Sequence, residues 1–200
     1  MDPQNDDYRF SSVWVEAKDI DLREFKTIPM GFIAYYAITN GLNNIEAAMA
    51  YALQSHERQL ACAAWGAVST TLDKATYRSE LNDFIESNTE WVTRSHWSFH
   101  EYWINLAKYK FFLMPRGHGI QSPKIYEALF VCTVPVVLRI AAYDDLEKLG
   151  FPLLIVDKWD EVNPSMLEEA YETRFKSTDW LRVREMVSVE NVMNLLRKDV

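Results

Sequence analysis

The sequence predicts an α/β fold, a doubly wound, Rossmann-like parallel sheet, and three observations carry that expectation. Short apolar runs alternate with helix-patterned segments from Arg58 to the C-terminal end, the order that builds parallel sheets through right-handed crossovers. The stretch from Tyr109 to Leu138, YKFFLMPRGHGIQSPKIYEALFVCTVPVVL, reads as strand, glycine turn, helix and strand, a complete βαβ unit. Leu153-Leu154-Ile155-Val156 is a continuously apolar run of the kind buried on both faces of a sheet.

Residues 1–27 are polar and acidic with scattered aromatics, and no element is assigned to them. Residues 28–38, IPMGFIAYYAI, fit a strand or a short buried helix. Asn43 with Glu46 has capping-box spacing and opens an alanine-rich helix to about His56. Arg58 to Trp65, RQLACAAW, reads as a strand. Asp73 caps a helix with Tyr77, Leu81, Phe84 and Ile85 near helical spacing. Trp91 to Thr93 fits a short strand, and Ser98 or a near neighbour starts a helix that brings Tyr102, Leu106 and Tyr109 roughly into phase. In the central unit Phe111 to Met114 is the strand, Ser122 the N-cap and Pro123 the first helical residue. That helix runs to about Cys132, and Val134 to Leu138 returns as a β-branched strand. Ala141 to Leu149 is a helix stopped by Gly150 with Pro152 beyond. Asn163-Pro164 starts a helix to about Phe175, and two further helices cover 178–186 and 188–197. No internal repeat or low-complexity segment interrupts the chain, and the one plausible boundary lies before Arg58.

Composition narrows the function classes. The chain has 200 residues and a net charge of −8, which argues against the basic stripe of a nucleic-acid surface. Seven Trp, ten Tyr and ten Phe supply large apolar faces. Two cysteines give no secreted disulfide framework, although a bond between Cys62 and Cys132 stays open. The polar start, MDPQNDDYRF, has no apolar signal region, and no window is apolar enough for a membrane span. The chain reads as soluble.

Candidate chemistry gathers in the central unit. Its polar residues fall at the carboxyl end of a strand, where open parallel sheets take ligands. The free N–H groups of the helix start favour an anion, flanked by Arg116 and Lys124, so a phosphate-bearing ligand is expected here. The planar fork of Arg116 suits a diphosphate; the alternative is a surface arginine paired with an acid. Gly117 and Gly119 serve a turn at least, and His118 between them is the histidine placed to meet a ligand. Lys124 and Glu127 stand three apart. They are either a surface ion pair, or a phosphate contact and a carboxylate that accepts two vicinal ribose hydroxyls. Spacing does not choose between these. His96 and His100 could share a helix face, but no acid or thiol completes a zinc motif, and partly buried structural histidines are expected. Asp19 and Asp21 form a D-x-D pair that reads as a solvated acidic turn rather than a metal site. Neither a G-x-S-x-G elbow nor a P-loop motif is present.

The central residues resemble the signature of exostosin-like glycosyltransferases: an apolar strand, P-R-G, S-x-[RK]-x-x-E-A-L, and a small-residue link to P-V. Pro115, Arg116, Gly117, Ser122, Lys124, Glu127, Ala128, Leu129, Pro135 and Val136 fall into that pattern. ACAAWGAVS with Tyr77-Arg78-Ser79-Glu80-Leu81 is similar to the family's first strand and arginine helix, and LLIVDKWDEV to its last strand, so about residues 58–175 are covered. The resemblance implies a GT-B glycosyltransferase of which this chain is the C-terminal, nucleotide-sugar-binding half. It implies Glu127 on the donor ribose, with Arg116, Ser122 and Lys124 on the diphosphate. It implies Arg78, on a looser match to the motif, as a further phosphate candidate, and Gly117, His118 and Gly119 as part of the donor loop. It implies inverting transfer from a UDP- or GDP-sugar to a glycan acceptor, with no cofactor and no bound metal, in a family whose members are often Golgi-anchored. Two departures stand out. Cys132-Thr133 occupies the place of the family's Gly-Cys. Only 57 residues precede the first recognised strand, too few for a second Rossmann-like domain. Residues 1–57 are therefore expected to be a remnant of, or linker to, a missing N-terminal domain, with 58–200 binding the donor.

Overall fold

The computed structural model describes residues 13–22, 25–31, 42–55, 57–65, 72–116 and 120–197. Five parallel strands form the central sheet: β3 (Gln59–Ala63), β4 (Val92–Arg94), β5 (Tyr109–Leu113), β6 (Val134–Leu138) and β7 (Leu154–Val156). Their spatial order is β4-β3-β5-β6-β7. Every neighbour pair is parallel, with Ala61 beside Val92, Cys62 beside Phe112, Phe111 beside Val134 and Val136 beside Leu154. The chain moves outward from β3 to β4, then returns across β3 to build β5, β6 and β7. That reversal is the topological switch point of a doubly wound sheet, and it opens a crevice between the carboxyl ends of β3 and β5.

The connecting helices are α2 (Leu72–Glu86), α3 (Phe99–Leu106), α4 (Pro123–Phe130) and α5 (Ala141–Lys148). Both sheet faces are covered. Phe111 sends its ring to Tyr171 and Phe175, each 6.1 Å away, and Phe84 of α2 meets Trp159 in the same layer at 6.3 Å. Strand alternation turns Phe112 the other way. Its register partner Cys62 lies near Tyr102 of α3. Helix α1 (Leu42–Gln54) packs on α3, and α7 (Trp180–Met186) packs on α4. The core is continuous across both layers, with Phe111, Phe112, Leu113, Ile125, Tyr126 and Leu146 among its fully buried side chains.

The buried guanidinium of Arg58 ties the amino-terminal edge of the sheet together. It donates to the carbonyls of Ala107 (2.9 Å), Cys132 (2.7 Å) and Tyr109, and to the Thr133 hydroxyl (2.8 Å). Thr133 passes its own hydroxyl toward the Leu106 and Tyr109 carbonyls, each 3.0 Å away. No carboxylate pairs with Arg58 among the described residues. Its charge is solvated by backbone dipoles.

Several local expectations are corrected. Within residues 1–27 the chain forms a parallel two-stranded ribbon, β1 (Val13–Val15) and β2 (Phe25–Thr27). Helix α1 begins at Leu42, so Asn43 stands inside it rather than capping it, and α2 begins at Leu72, ahead of Asp73. The central helix ends at Phe130, with Cys132 in the left-handed conformation (φ 61°) where the chain turns into β6. The segment 164–175 divides into α6 (Pro164–Ala170), capped by Asn163, and a π-helical turn, Tyr171–Phe175. The final helix is α8 (Val189–Arg197). Residues 32–38 of the ambiguous apolar run lie outside the described residues.

Candidate functional site

The site is built where β5 hands over to α4. Leu113 and Met114 are buried at the strand end, and Arg116 follows them, half-buried. Its charge lies close to Tyr143 of α5. Burial raises that phenol far above its ordinary pKa, and Arg116 draws it part of the way back. The Tyr143 hydroxyl donates to the carbonyl of Ile120 at 2.9 Å, which fixes the loop leading into α4. Ser122 is extended (φ −129°, ψ 136°) and its hydroxyl accepts from the Lys124 amide at 3.4 Å, with Pro123 at the first helical position. The N-terminus of α4 therefore lies at the carboxyl end of the sheet as the sequence leads one to expect, with the Lys124 amide held by the Ser122 hydroxyl and the Ile125 amide by the Ser122 carbonyl at 3.0 Å.

Glu127 is no surface residue. Its side chain is 7% exposed, and Oε2 lies 3.6 Å from the Lys124 ammonium. The same ammonium sits 4.0 Å from the centre of the Tyr102 ring, a cation–π contact in a partly dry setting. Burial, and then the neighbouring Glu127 charge, push the Tyr102 phenol well above its ordinary pKa. The Tyr102 hydroxyl is itself buried and makes no hydrogen bond of ordinary geometry. A carboxylate, an ammonium and a phenol thus meet where α3 and α4 pack. Sequence spacing located Lys124 and Glu127, but Tyr102 comes from another helix and carries no motif.

Arg78 lies on α2, beyond the other side of the crevice. It neighbours Arg94 at the end of β4, whose guanidinium is held below its ordinary pKa by burial first and by the Arg78 charge second. Arg94 lies 4.1 Å over the ring of Trp65, the residue two beyond β3. Gly117, His118 and Gly119 lie outside the described residues, as does His56. His96 and His100 are exposed, not partly buried as expected. Asp21 is 79% exposed and pairs with Lys18 at 3.2 Å, in keeping with a solvated acidic turn.

The amino-terminal ribbon docks beside this site. The buried amide of Gln121 donates to the carbonyls of Glu16 (2.7 Å) and Ile28 (2.8 Å). Its oxygen accepts from the Met30 amide at 3.3 Å and from the Tyr126 hydroxyl. Three of these four bonds join the loop before α4 to a segment about a hundred residues away, and the fourth ties Gln121 to Tyr126 of α4. A second clasp is polar: Asp145 of α5 accepts from the Lys18 ammonium (2.9 Å) and from the Thr27 hydroxyl (2.9 Å) and amide (3.3 Å).

Comparison with known proteins adds a distant likeness. No protein-family model matches the sequence, and no curated protein matches it. Among solved structures, the chain is similar to WaaG, a glycosyltransferase involved in lipopolysaccharide biosynthesis, with a TM-score of 0.44 and 10% identity. The match covers 89% of this chain and 56% of WaaG, so this chain spans little more than half of that enzyme's length.

Proposed function

We propose that this chain is the donor-binding half of an exostosin-like GT-B glycosyltransferase that takes a nucleotide-diphosphate sugar. Residues 58–200 hold the donor. The observation that carries the reading is Glu127: a nearly buried carboxylate on a helix whose capped N-terminus opens at the carboxyl edge of a doubly wound sheet. A phosphate suits the helix start, and vicinal ribose hydroxyls suit the carboxylate. Arg116 and Lys124 bring positive charge to the same place, and in this reading Arg78 of α2 adds a further phosphate contact. In this reading Gly117, His118 and Gly119 complete the donor loop.

In the transfer step, an acceptor hydroxyl oxygen forms a bond to the anomeric carbon as the bond from that carbon to the diphosphate oxygen breaks. The electron pair leaves with the diphosphate, and the acceptor proton passes to a base outside the residues named here. Cations and helix dipoles aimed at the departing oxygens stabilise the charge that develops there. Inversion at the anomeric carbon, independence of a bound metal, a glycan acceptor and a Golgi setting belong to this proposal through the family resemblance.

A non-catalytic nucleotide-sugar-binding module is the second reading, favoured by the cover that Lys124 and Tyr102 place over Glu127. Titrating UDP, GDP and their sugars into the protein, with a parallel assay for donor hydrolysis and transfer, separates the two. Binding with turnover supports the transferase, binding without turnover supports the module, and absence of binding sinks both.

A further inference from the structure

Two unmet hydrogen-bonding groups lie together where α3 and α4 pack. Glu127 is 7% exposed, and its ion-pair partner is the Lys124 ammonium at 3.6 Å, beyond the roughly 2.7–2.9 Å of a charge-assisted hydrogen bond. Among the described residues no donor bonds to that carboxylate. Tyr102 is 9% exposed, and its buried hydroxyl has no acceptor. One ammonium relates the two groups: Lys124 Nζ stands 4.0 Å from the centre of the Tyr102 ring and 3.6 Å from Glu127 Oε2, so ring and carboxylate sit side by side. Neighbouring phenols show the ordinary outcome. Tyr126 donates to the Gln121 oxygen, and Tyr143 to the Ile120 carbonyl at 2.9 Å. A buried hydroxyl without an acceptor costs stability, and a covered carboxylate without a donor costs more. Their needs are opposite, since one lacks an acceptor and the other lacks donors. Vicinal hydroxyls supply both, because each donates through its proton and accepts through its oxygen. Trp103, edge-on at 5.8 Å, and Trp97, tilted at 6.2 Å, hold the Tyr102 ring in place.

We propose that Tyr102 is a second ribose-contacting residue, its hydroxyl donating to a ribose oxygen while Glu127 accepts from the ribose hydroxyls. This role rests on the donor-binding reading and adds to it a residue that selects for the intact diol. Lys124, 33% exposed, is more open to solvent than either neighbour. Its ammonium is the counter-charge that the ribose replaces on Glu127, and it then serves the diphosphate.

The test is calorimetric titration of UDP and 2′,3′-dideoxy-UDP, and of the corresponding guanine pair, into the full chain and its Tyr102→Phe variant, with urea denaturation of both proteins. Tyr102→Phe removes only an unpaired hydroxyl, so its urea midpoint is expected to match or exceed that of wild type. Its affinity for the ribonucleoside diphosphate is expected to fall about fivefold, the loss of one neutral hydrogen bond. The dideoxy form, which offers no ribose hydroxyl, is expected to stay within about twofold of wild type. A lower urea midpoint, or a variant that does not fold, shows that the hydroxyl has a partner inside the protein and overturns the assignment. A variant that binds the ribonucleotide as tightly as wild type, or loses both forms equally, also overturns it while leaving the donor site intact. Wild type that binds the ribo and dideoxy forms alike overturns the ribose contacts of Glu127 and Tyr102 together. Wild type that binds neither UDP nor GDP overturns the donor site and the Tyr102 role with it.

Discussion

The ammonium of Lys124 lies 3.6 Å from a Glu127 carboxylate that is 7% exposed, and 4.0 Å from the centre of the Tyr102 ring. The pair is therefore not the solvated i,i+3 contact that its spacing allows. Replacing Lys124 by Ala leaves a covered carboxylate without its cation, at an expected cost of about 2 kcal/mol. In the Lys124→Ala/Glu127→Gln double variant most of that loss returns, because a neutral amide needs no counter-charge. Urea denaturation of the four proteins in the cycle measures it, and additive losses would show that the two side chains act independently.

Arg58 makes a different kind of claim. Three of its bonds end on groups from the α3–β5 and α4–β6 connections, and a fourth on Tyr109, the first residue of β5. Arg58→Met leaves the carbonyls of Ala107 and Cys132 without that donor in a dry setting, so a loss of at least about 3 kcal/mol is expected. Arg58→Lys recovers only part of it, since an ammonium cannot span the same fork. A loss under about 1 kcal/mol on denaturant unfolding would contradict the clasp.

The ribbon's attachment depends on pH. Burial pushes Asp145 upward, but the bonds from Lys18 and Thr27 and the Lys18 and Lys148 charges outweigh it and hold the carboxyl below its ordinary range. A depressed folded pKa stabilises above the unfolded value, near pH 4, and that contribution is lost as pH falls through the folded value. Burial lowers Lys18, yet its bonds to Asp145 and Asp21 leave it above its ordinary pKa. Its share is present below the unfolded value, near pH 10, and fades as pH rises through the folded one. The Thr27 amide, bonded to Asp145, is expected to lose hydrogen-exchange protection, corrected for intrinsic rate, between pH 6 and pH 3. Asp145→Asn should lose protection at both. Equal protection of wild-type Thr27 at the two pH values would contradict the linkage.

Cys62 and Cys132 are free and buried. Burial lifts the Cys132 thiol to about 11 and the Cys62 thiol well above its ordinary value, and Arg58 pulls each part of the way back. Both stay protonated and covered at pH 8, so thiol reagents should label neither until the protein is unfolded. Labelling of the native chain at the rate of an exposed cysteine would refute that arrangement.

The central βαβ unit was legible because its signals are local. Phe111 to Leu113 is a run that suits a strand buried on both faces, and Ser122-Pro123 satisfies a helix start within three residues. The sequence also flagged the departure at Cys132, which the structure places in the left-handed conformation that favours glycine. The ribbon could not be read in this way. Its strands have three residues each, and they are held by Gln121 and Asp145, whose partners lie about a hundred residues away. Arg94 escaped notice for a similar reason: its stacking on Trp65 depends on the β3–β4 register. Glu127's burial was equally hidden, because the residue that covers it with Lys124 comes from α3.

The central claim is that Glu127 holds a ribose. It is tested most directly by titrating UDP and 2′-deoxy-UDP, and the corresponding guanine pair, into wild type and Glu127→Ala. Wild type is expected to prefer the ribonucleotide by about tenfold, one charge-assisted hydrogen bond, and Glu127→Ala to bind both forms alike. A wild type indifferent to the 2′-hydroxyl, or a Glu127→Ala variant that keeps the preference, would contradict it.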